Sequence, residues 1–174
     1  MADVWVIDTS SIIEVRRPAL QIPTPRLAAV YRQLGELVNQ GSLVFPRKVL
    51  DELERQAGMI AATGSADLPY EWARQNAETA TRHGTDYGAL REVLAVEGIA
   101  QLLDPDKRGV EPADPYVLAL AHQLRGLGDF PRVITEDRRD APDKVALASA
   151  CGLVGIPVVP TRAFLLNRRI WPSG

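Results

Sequence analysis

The sequence predicts an α/β domain of three layers, α/β/α, with helices on both faces of a central, mostly parallel sheet. Three observations predict it. Val4-Trp5-Val6-Ile7 is a continuous apolar run that ends on Asp8. A run without polar alternation suits a strand covered on both faces, as in parallel sheets. Short β-branched runs then alternate with stretches of helical period along the chain, the pattern of repeated β–α units. Finally, 174 residues that are 46% hydrophobic and 24% charged suit one globular domain, residues 1–174, with a sizeable core.

The elements follow in order. Asp8, Thr9 and Ser10 are turn and N-cap types ahead of Ile12, Ile13 and Val15, so the first strand feeds a helix. Pro18, Pro23 and Pro25 mark a loop. Leu27 to Val38 has apolar residues at 27, 30, 34, 37 and 38, a helical period that closes at Asn39-Gln40-Gly41. Leu43-Val44-Phe45 is a short strand stopped by Pro46, which suits a first helical turn. Val49, Leu50, Leu53 and Ala57 trace the next helix to about Ala57, and Ala61 to Ser65 reads as a loop.

From about Leu68 to Ala100 two helices are expected, broken at Gly84-Thr85-Asp86 with Thr85 or Asp86 as N-cap. With the polar loop Leu102 to Pro112, this makes about 60–110 a mainly helical insertion. Asp114-Pro115 opens a helix to Leu124, Asp as N-cap and Pro at N1, with Val117, Leu118, Ala121 and Leu124 as its inner face. After a turn from Gly126 to Pro131 come a strand at Arg132 to Thr135 and a helix at Val145 to Leu153. A strand at Ile156 to Val159, interrupted by Pro157, and a helix at Thr161 to Arg169 complete the series. There are no internal repeats.

Composition narrows the function. Net charge is −2, so a nucleic-acid partner would have to be met by local basic patches or metal ions. The single cysteine, Cys151, excludes an intramolecular disulfide and a Cys-based zinc cluster. Two histidines, His83 and His122, give a zinc site or a His-based triad little to draw on. No apolar run approaches membrane-span length. The chain opens on a strand without the features of a secretory leader, so no membrane association and a cytoplasmic setting are expected.

Four acids stand out. Asp8 and Asp137 each follow a predicted strand, at the carboxyl end where α/β sheets bind ligands. Glu52 lies on the helix after Pro46, and Asp114 starts another. Each has a plainer reading: Asp8 and Asp114 as helix caps, and Glu52, beside Asp51 and Glu54, as part of a solvated face. Glu136 or Asp140 could share Asp137's role, while Asp104 and Asp106 read as surface charges. Together, four carboxylates converging at one sheet end would repel unless a divalent cation neutralises them. Oxygen-only ligands favour Mg2+ or Mn2+ over zinc, and such sites perform metal-assisted attack on phosphodiesters.

The residues around these acids resemble PIN-domain nucleases. Val6-Ile7-Asp8-Thr9-Ser10-Ser11-Ile12-Ile13 is similar to the family's opening motif. Pro46-Arg47-Lys48-Val49-Leu50-Asp51-Glu52-Leu53 is similar to the second, with its glutamate on Glu52. Asp114-Pro115-Tyr116-Val117-Leu118-Ala119-Leu120-Ala121 is similar to the third, and Val133-Ile134-Thr135-Glu136-Asp137 to the fourth. The motifs occur in the family's order and cover nearly the whole chain. A longer, uncharacterised bacterial PIN-like group is most similar, sharing a tail like Ala150-Cys151-Gly152-Leu153-Val154-Gly155-Ile156-Pro157. Ser10 departs from the Asn of many members, and 60–110 is longer than in compact toxin-type members.

The resemblance implies a PIN-like fold and Mg2+- or Mn2+-dependent endoribonuclease activity, commonly as the toxin of a type II toxin–antitoxin pair. Metal-activated water would attack an RNA phosphodiester. It assigns Asp8, Asp114 and Asp137 as metal ligands, directly or through water. Glu52 would bind metal or orient the water, and Thr9, Ser10 and Thr135 would hydrogen-bond carboxylates or water. Glu136, beside Asp137, shares the fourth position. Its partners would be an RNA substrate, a cognate antitoxin and a second copy of the chain.

RNA binding needs positive charge. Arg47, Lys48, Arg138 and Arg139 are candidates, with Arg16 and Arg17, against the plainer reading of solvated surface charges; Arg168-Arg169 is weaker. Trp5, Trp72 and Trp171 are too scattered for a base-stacking platform. Helix 27–38 offers an oligomer or antitoxin surface, though core packing is simpler. A non-catalytic module and a DNA flap nuclease are alternatives. A haloacid-dehalogenase-type phosphatase would want a second Asp where Ser10 stands, and a receiver domain an acidic pair that is not evident.

Overall fold

The computed structural model describes residues 1–17, 20–61, 67–100 and 112–170. Most of the two loops expected at Ala61 to Ser65 and Leu102 to Pro112, with Asp104 and Asp106, lies outside the described residues, as does Trp171.

Strand β1 (Asp3–Ile7) is the centre of the domain. Consecutive strand residues point to opposite faces, yet Val4, Trp5, Val6 and Ile7 are all buried. Both faces are therefore covered, as the unbroken apolar run predicts. β1 pairs with β2 (Leu43–Val44) on one side and β3 (Phe130–Ile134) on the other, and β3 pairs with β4 (Val158–Val159). All pairings are parallel, in the order β2-β1-β3-β4. Val6 sits opposite Val44 and Val133, and Val133 opposite Val158.

Helices connect every pair of successive strands, as parallel pairing requires. Helices α1 (Thr9–Glu14) and α2 (Thr24–Asn39) lie between β1 and β2. Helices α3 (Arg47–Ala61), α4 (Leu68–Ala80), α5 (Tyr87–Leu94) and α6 (Asp114–Gly126) lie between β2 and β3. Helix α7 (Leu147–Leu153) joins β3 to β4, and α8 (Thr161–Asn167) follows. The domain is thus α/β, with an all-parallel sheet flanked by helices. Helices α4 and α5 occupy the expected insertion. Asp86 caps α5, accepting from the backbone N–H groups of Gly88 and Ala89 at 2.8 and 3.0 Å.

Four local expectations are corrected. Helix α3 continues past Ala57 to Ala61. Strand β3 begins at Phe130 rather than Arg132. Pro131 is tolerated there because β4 has not yet begun on the side its missing N–H would face. Phe130 N–H bonds toward β1 at Ala2 (2.9 Å), and Val133 N–H bonds the other way, to Pro157 (2.9 Å). On α6, an inner face was expected; instead Pro115 to Ala121 are all buried, because this helix packs on α5, β1, β3 and α7 at once. Finally, the N-cap of α6 is Ala113, so Asp114 and Pro115 are its first and second residues.

The topology positions a site. The connection out of β1 leads to β2 at one edge, and that out of β3 leads to β4 at the other. The carboxyl ends of β1 and β3 therefore flank a switch point, where α/β sheets bind ligands.

Candidate functional site

Asp8 follows β1 directly at the switch point and is only 2% exposed. Its Oδ1 accepts the Thr9 N–H (2.7 Å), so it does cap α1. Its Oδ2 accepts the hydroxyls of Ser10 (2.7 Å) and Thr135 (2.9 Å). Thr135 follows β3, and its Oγ1 also receives the Asp137 N–H at 3.0 Å. The Ser10 Oγ receives the Glu136 N–H at 3.1 Å. Two hydroxyls thus lock the turns after β1 and β3 to one buried carboxylate. Even so, burial, followed by the charge of Glu52, pushes the Asp8 carboxyl above its ordinary range, against the hydrogen bonds that favour its charge.

The other acids converge on Asp8 from separate elements. Glu52, one turn into α3, is not on a solvated face. Its Oε2 accepts the Thr9 hydroxyl at 2.5 Å and its Oε1 the Ala113 N–H at 2.8 Å, tying α3 to the starts of α1 and α6. Because Glu52 serves the start of α6, Asp114 is released from the capping role expected of it. Burial, then the charges of Asp8 and Asp137, push the Asp114 carboxyl up to about 7, with Lys144 opposing. Asp137 Oδ2 accepts from the Leu147 N–H and from Lys144 Nζ, each at 3.0 Å.

Asp8, Thr9, Ser10, Glu52, Asp114, Glu136 and Asp137 line one recess of about 390 Å3, together with Ile13, Arg17, Gln56 and Lys144. The described lining carries five carboxylates against two cations. Glu136 is turned partly aside: its Oε1 accepts the Thr161 N–H at 2.7 Å, at the start of α8. Glu136 and Asp137 also line an adjoining recess of about 500 Å3 with Arg138 and Arg139, both exposed.

The basic candidates divide. Arg17, Arg138 and Arg139 reach the recesses. Arg47 and Lys48 do not: Arg47 pairs with Asp51 on its own helix (3.2 Å), and Lys48 Nζ lies 5.2 Å from the centre of the Tyr116 ring. Arg16 pairs with Asp67 at 2.5 Å, away from the recess. His122 bonds Glu92 (2.8 Å). Trp5 and Trp72 are core residues, in tilted ring contact with Phe164 and Phe45 respectively.

Sequence reasoning missed Lys144. Its Nζ lies 3.0 Å from Asp137 Oδ2 and 3.5 Å from Asp114 Oδ2. Burial works against its charge, but the bonds and charges of Asp137 and Asp114 outweigh it and hold the ammonium above its ordinary range. The available signal was its place, seven residues after Asp137 and just ahead of an apolar helix. Glu14 was also passed over. It is 8% exposed and pushed up by burial, with Arg17 opposing and Glu136 adding to the rise.

The donor chemistry fits a hard divalent cation: oxygen ligands only, more negative than positive charge, and two carboxyls, Asp8 and Asp114, held above their ordinary range by burial and by the charge of neighbouring carboxylates. The spacing is less complete. Among the described residues, no three His, Cys, Asp or Glu side chains are arranged to hold an ion as they stand; the Lys144 ammonium lies against Asp114 and Asp137. Among the described residues, no helix is long and apolar enough to cross a membrane.

No curated protein and no solved structure matches the chain. A family model matches residues 5–171, almost the whole length, and the chain belongs to that family, described as "Domain of unknown function (DUF4411)".

Proposed function

We propose that the chain is a PIN-like, Mg2+- or Mn2+-dependent endoribonuclease acting in the cytoplasm as the toxin of a type II toxin–antitoxin pair. The observation that carries the nuclease reading is the meeting of Asp8, Glu52, Asp114 and Asp137, from four distant parts of the sequence, at the switch point of a parallel sheet. The four motif resemblances support the family, and through it the toxin role.

An RNA backbone is anionic, and a recess lined by five carboxylates would repel it without added positive charge. Asp8, Asp114 and Asp137 would hold the divalent ion directly or through water, and Glu52 from its bracketed position. When bound, the ion lowers the pKa of a coordinated water and neutralises charge building on the phosphate. The chain's own residues prepare the ground. Ser10 and Thr135 fix the plane of the Asp8 carboxylate. The Leu147 N–H fixes Asp137 Oδ2, and Thr9 holds Glu52. Arg17, Arg138 and Arg139 stand at the rim, where phosphates flanking the cleaved bond would pass.

The test is cleavage of a panel of structured and single-stranded RNAs with Mn2+, Mg2+ or EDTA. Cutting should need metal and fall by at least about a hundredfold in Asp8→Asn and Asp114→Asn. Cutting unaffected by EDTA or by both variants would sink the reading. Expression in cells should halt growth for the wild type and not for Asp8→Asn.

A second reading, a non-catalytic module that kept the fold, is favoured by the ammonium of Lys144 already balancing Asp114 and Asp137. Mn2+ calorimetry separates the two, because a module without chemistry need not bind the ion. A DNA nuclease or phosphatase would show as metal-dependent cutting of a DNA flap or a phosphomonoester in place of RNA.

A further inference from the structure

Resting on the metal-site reading above, we infer that Lys144 is a built-in counter-ion that holds the acid cluster together without metal and competes with the divalent cation for it. Three observations carry this. First, the ammonium lies against two of the proposed ligands at once, 3.0 Å from Asp137 Oδ2 and 3.5 Å from Asp114 Oδ2. Its side chain is 29% exposed, against 15% for Asp114 and 23% for Asp137, so the pairing is partly sheltered from bulk water.

Second, the lysine is presented by a constructed loop. Ala141 and Lys144 bond each other's backbones in both directions, at 2.8 and 3.2 Å. Asp140 Oδ1 takes the Ala146 N–H at 2.7 Å. Asp137 takes the Leu147 N–H on its side chain and the Ala148 N–H on its carbonyl, both at 3.0 Å. The acid that Lys144 pairs with also anchors the backbone from which Lys144 projects.

Third, the charges leave Lys144 the role. Of the two cations among the described lining residues, Arg17 is paired with Glu14 at 3.2 Å. Lys144 is therefore the cation, among the described residues, that meets Asp114 and Asp137. A divalent ion bound by the same two carboxylates would come within a few ångströms of the ammonium, and like charges so close in a sheltered site repel strongly. Metal entry must move Nζ away. A lysine suits this exchange better than an arginine fork, being a compact point charge on a flexible stem.

The competing account makes Lys144 a brace that keeps Asp137 in place, and the two accounts differ in sign. Removing a competitor tightens metal binding; removing a brace weakens it. The experiment is calorimetric titration of Mn2+ into the full chain as wild type, Lys144→Met, Lys144→Arg and Asp114→Asn, with metal-free melting curves alongside.

Lys144→Met should bind Mn2+ about tenfold tighter, melt lower without metal, and gain more from added Mn2+ than the wild type does. Lys144→Arg, which keeps the charge, should stay near wild-type affinity. Equal or weaker binding by Lys144→Met, with wild-type binding lost in Asp114→Asn, would overturn the inference and leave the metal site standing. Absence of Mn2+ binding from both wild type and Lys144→Met would overturn both. Should Lys144→Met fail to fold, Lys144→Gln repeats the measurement with a polar tip and the same loss of charge.

Discussion

Two of the recesses among the described residues are nearly equal in size. One, of about 410 Å3, lies between α2 and α4 over Tyr31 and Trp72, with Arg32, Glu36 and Glu71 around it. The other, of about 390 Å3, lies at the carboxyl end of the sheet. In the first, the buried groups are aromatic and core-like, and Arg32 and Glu36 are exposed. In the second, the buried groups are the Asp8 carboxylate and the Thr9 side chain, with four more acids in the lining. Burying aromatic surface stabilises a fold, whereas burying like charges destabilises it unless something opposes them. Size does not separate the two recesses; the second carries a cost that folding alone does not explain, and perturbed carboxyls in a cleft are a signature of function.

The largest effect should come from testing that contrast in the apolar recess. Trp72 is 5% exposed and packs between Tyr31 and Phe45, with ring centres 6.2 and 5.8 Å away. Trp72→Ala should cost about 3–5 kcal/mol of stability in urea unfolding. Well below its midpoint, its RNA cleavage should match the wild type, whereas Asp114→Asn should fold and not cut. A folded Trp72→Ala protein that has lost cleavage would erase the distinction and bring the α2–α4 recess into the function.

A smaller effect should appear in the pH dependence of stability. The Asp114 carboxyl is held up to about 7 against an ordinary 3.8. Between those values the native state keeps a proton that the unfolded chain has released. The contribution is full below about pH 4 and is lost as pH rises through about 7. Denaturation of metal-free protein from pH 4 to pH 8 should show this loss, on the order of 2 kcal/mol. Asp114→Asn should remove most of the slope and be the more stable protein at pH 8. An unchanged slope in the variant would mean that the charge crowding in this recess is relieved by other groups.

Much of this second recess was legible in the sequence, for a definite reason. Asp8 and Asp137 each follow a short run read as a strand, and a parallel sheet brings the ends of such strands to one side. The apolar run of β1 also announced burial on both faces. Other features depend on contacts that sequence proximity does not report. Arg47 and Lys48 are neighbours of Glu52 in the chain. At 3.6 residues per turn, however, Arg47 projects well round the helix from Glu52 and meets Asp51, and Lys48 settles over Tyr116. Lys144 was hidden in the opposite way: a polar run without periodicity gives no face to predict, and the reciprocal bonds of Ala141 and Lys144 decide where the ammonium goes. Asp114 read as a cap because Asp before Pro usually is one. Only the Glu52 bond to Ala113, across 61 positions, shows that the start of α6 is served from elsewhere.

The finest distinction lies between two adjacent acids. From the sequence, Asp137 is the expected fourth ligand, with Glu136 beside it able to share or take that role. In the structure, Glu136 Oε1 accepts the Thr161 N–H, while Asp137 shares Lys144 with Asp114. Charge at a helix N-terminus is favourable but modest in energy. Glu136→Gln keeps an oxygen for that N–H and should cost at most about 1 kcal/mol in thermal melting, with cleavage reduced only a few-fold. Asp137→Asn removes a charge beside Asp114, and cleavage should drop by at least about a hundredfold. The reverse ranking in cleavage would assign the fourth position to Glu136 and require it to leave Thr161 when metal binds. That exchange would register as a loss of hydrogen-exchange protection at the Thr161 amide on adding Mn2+.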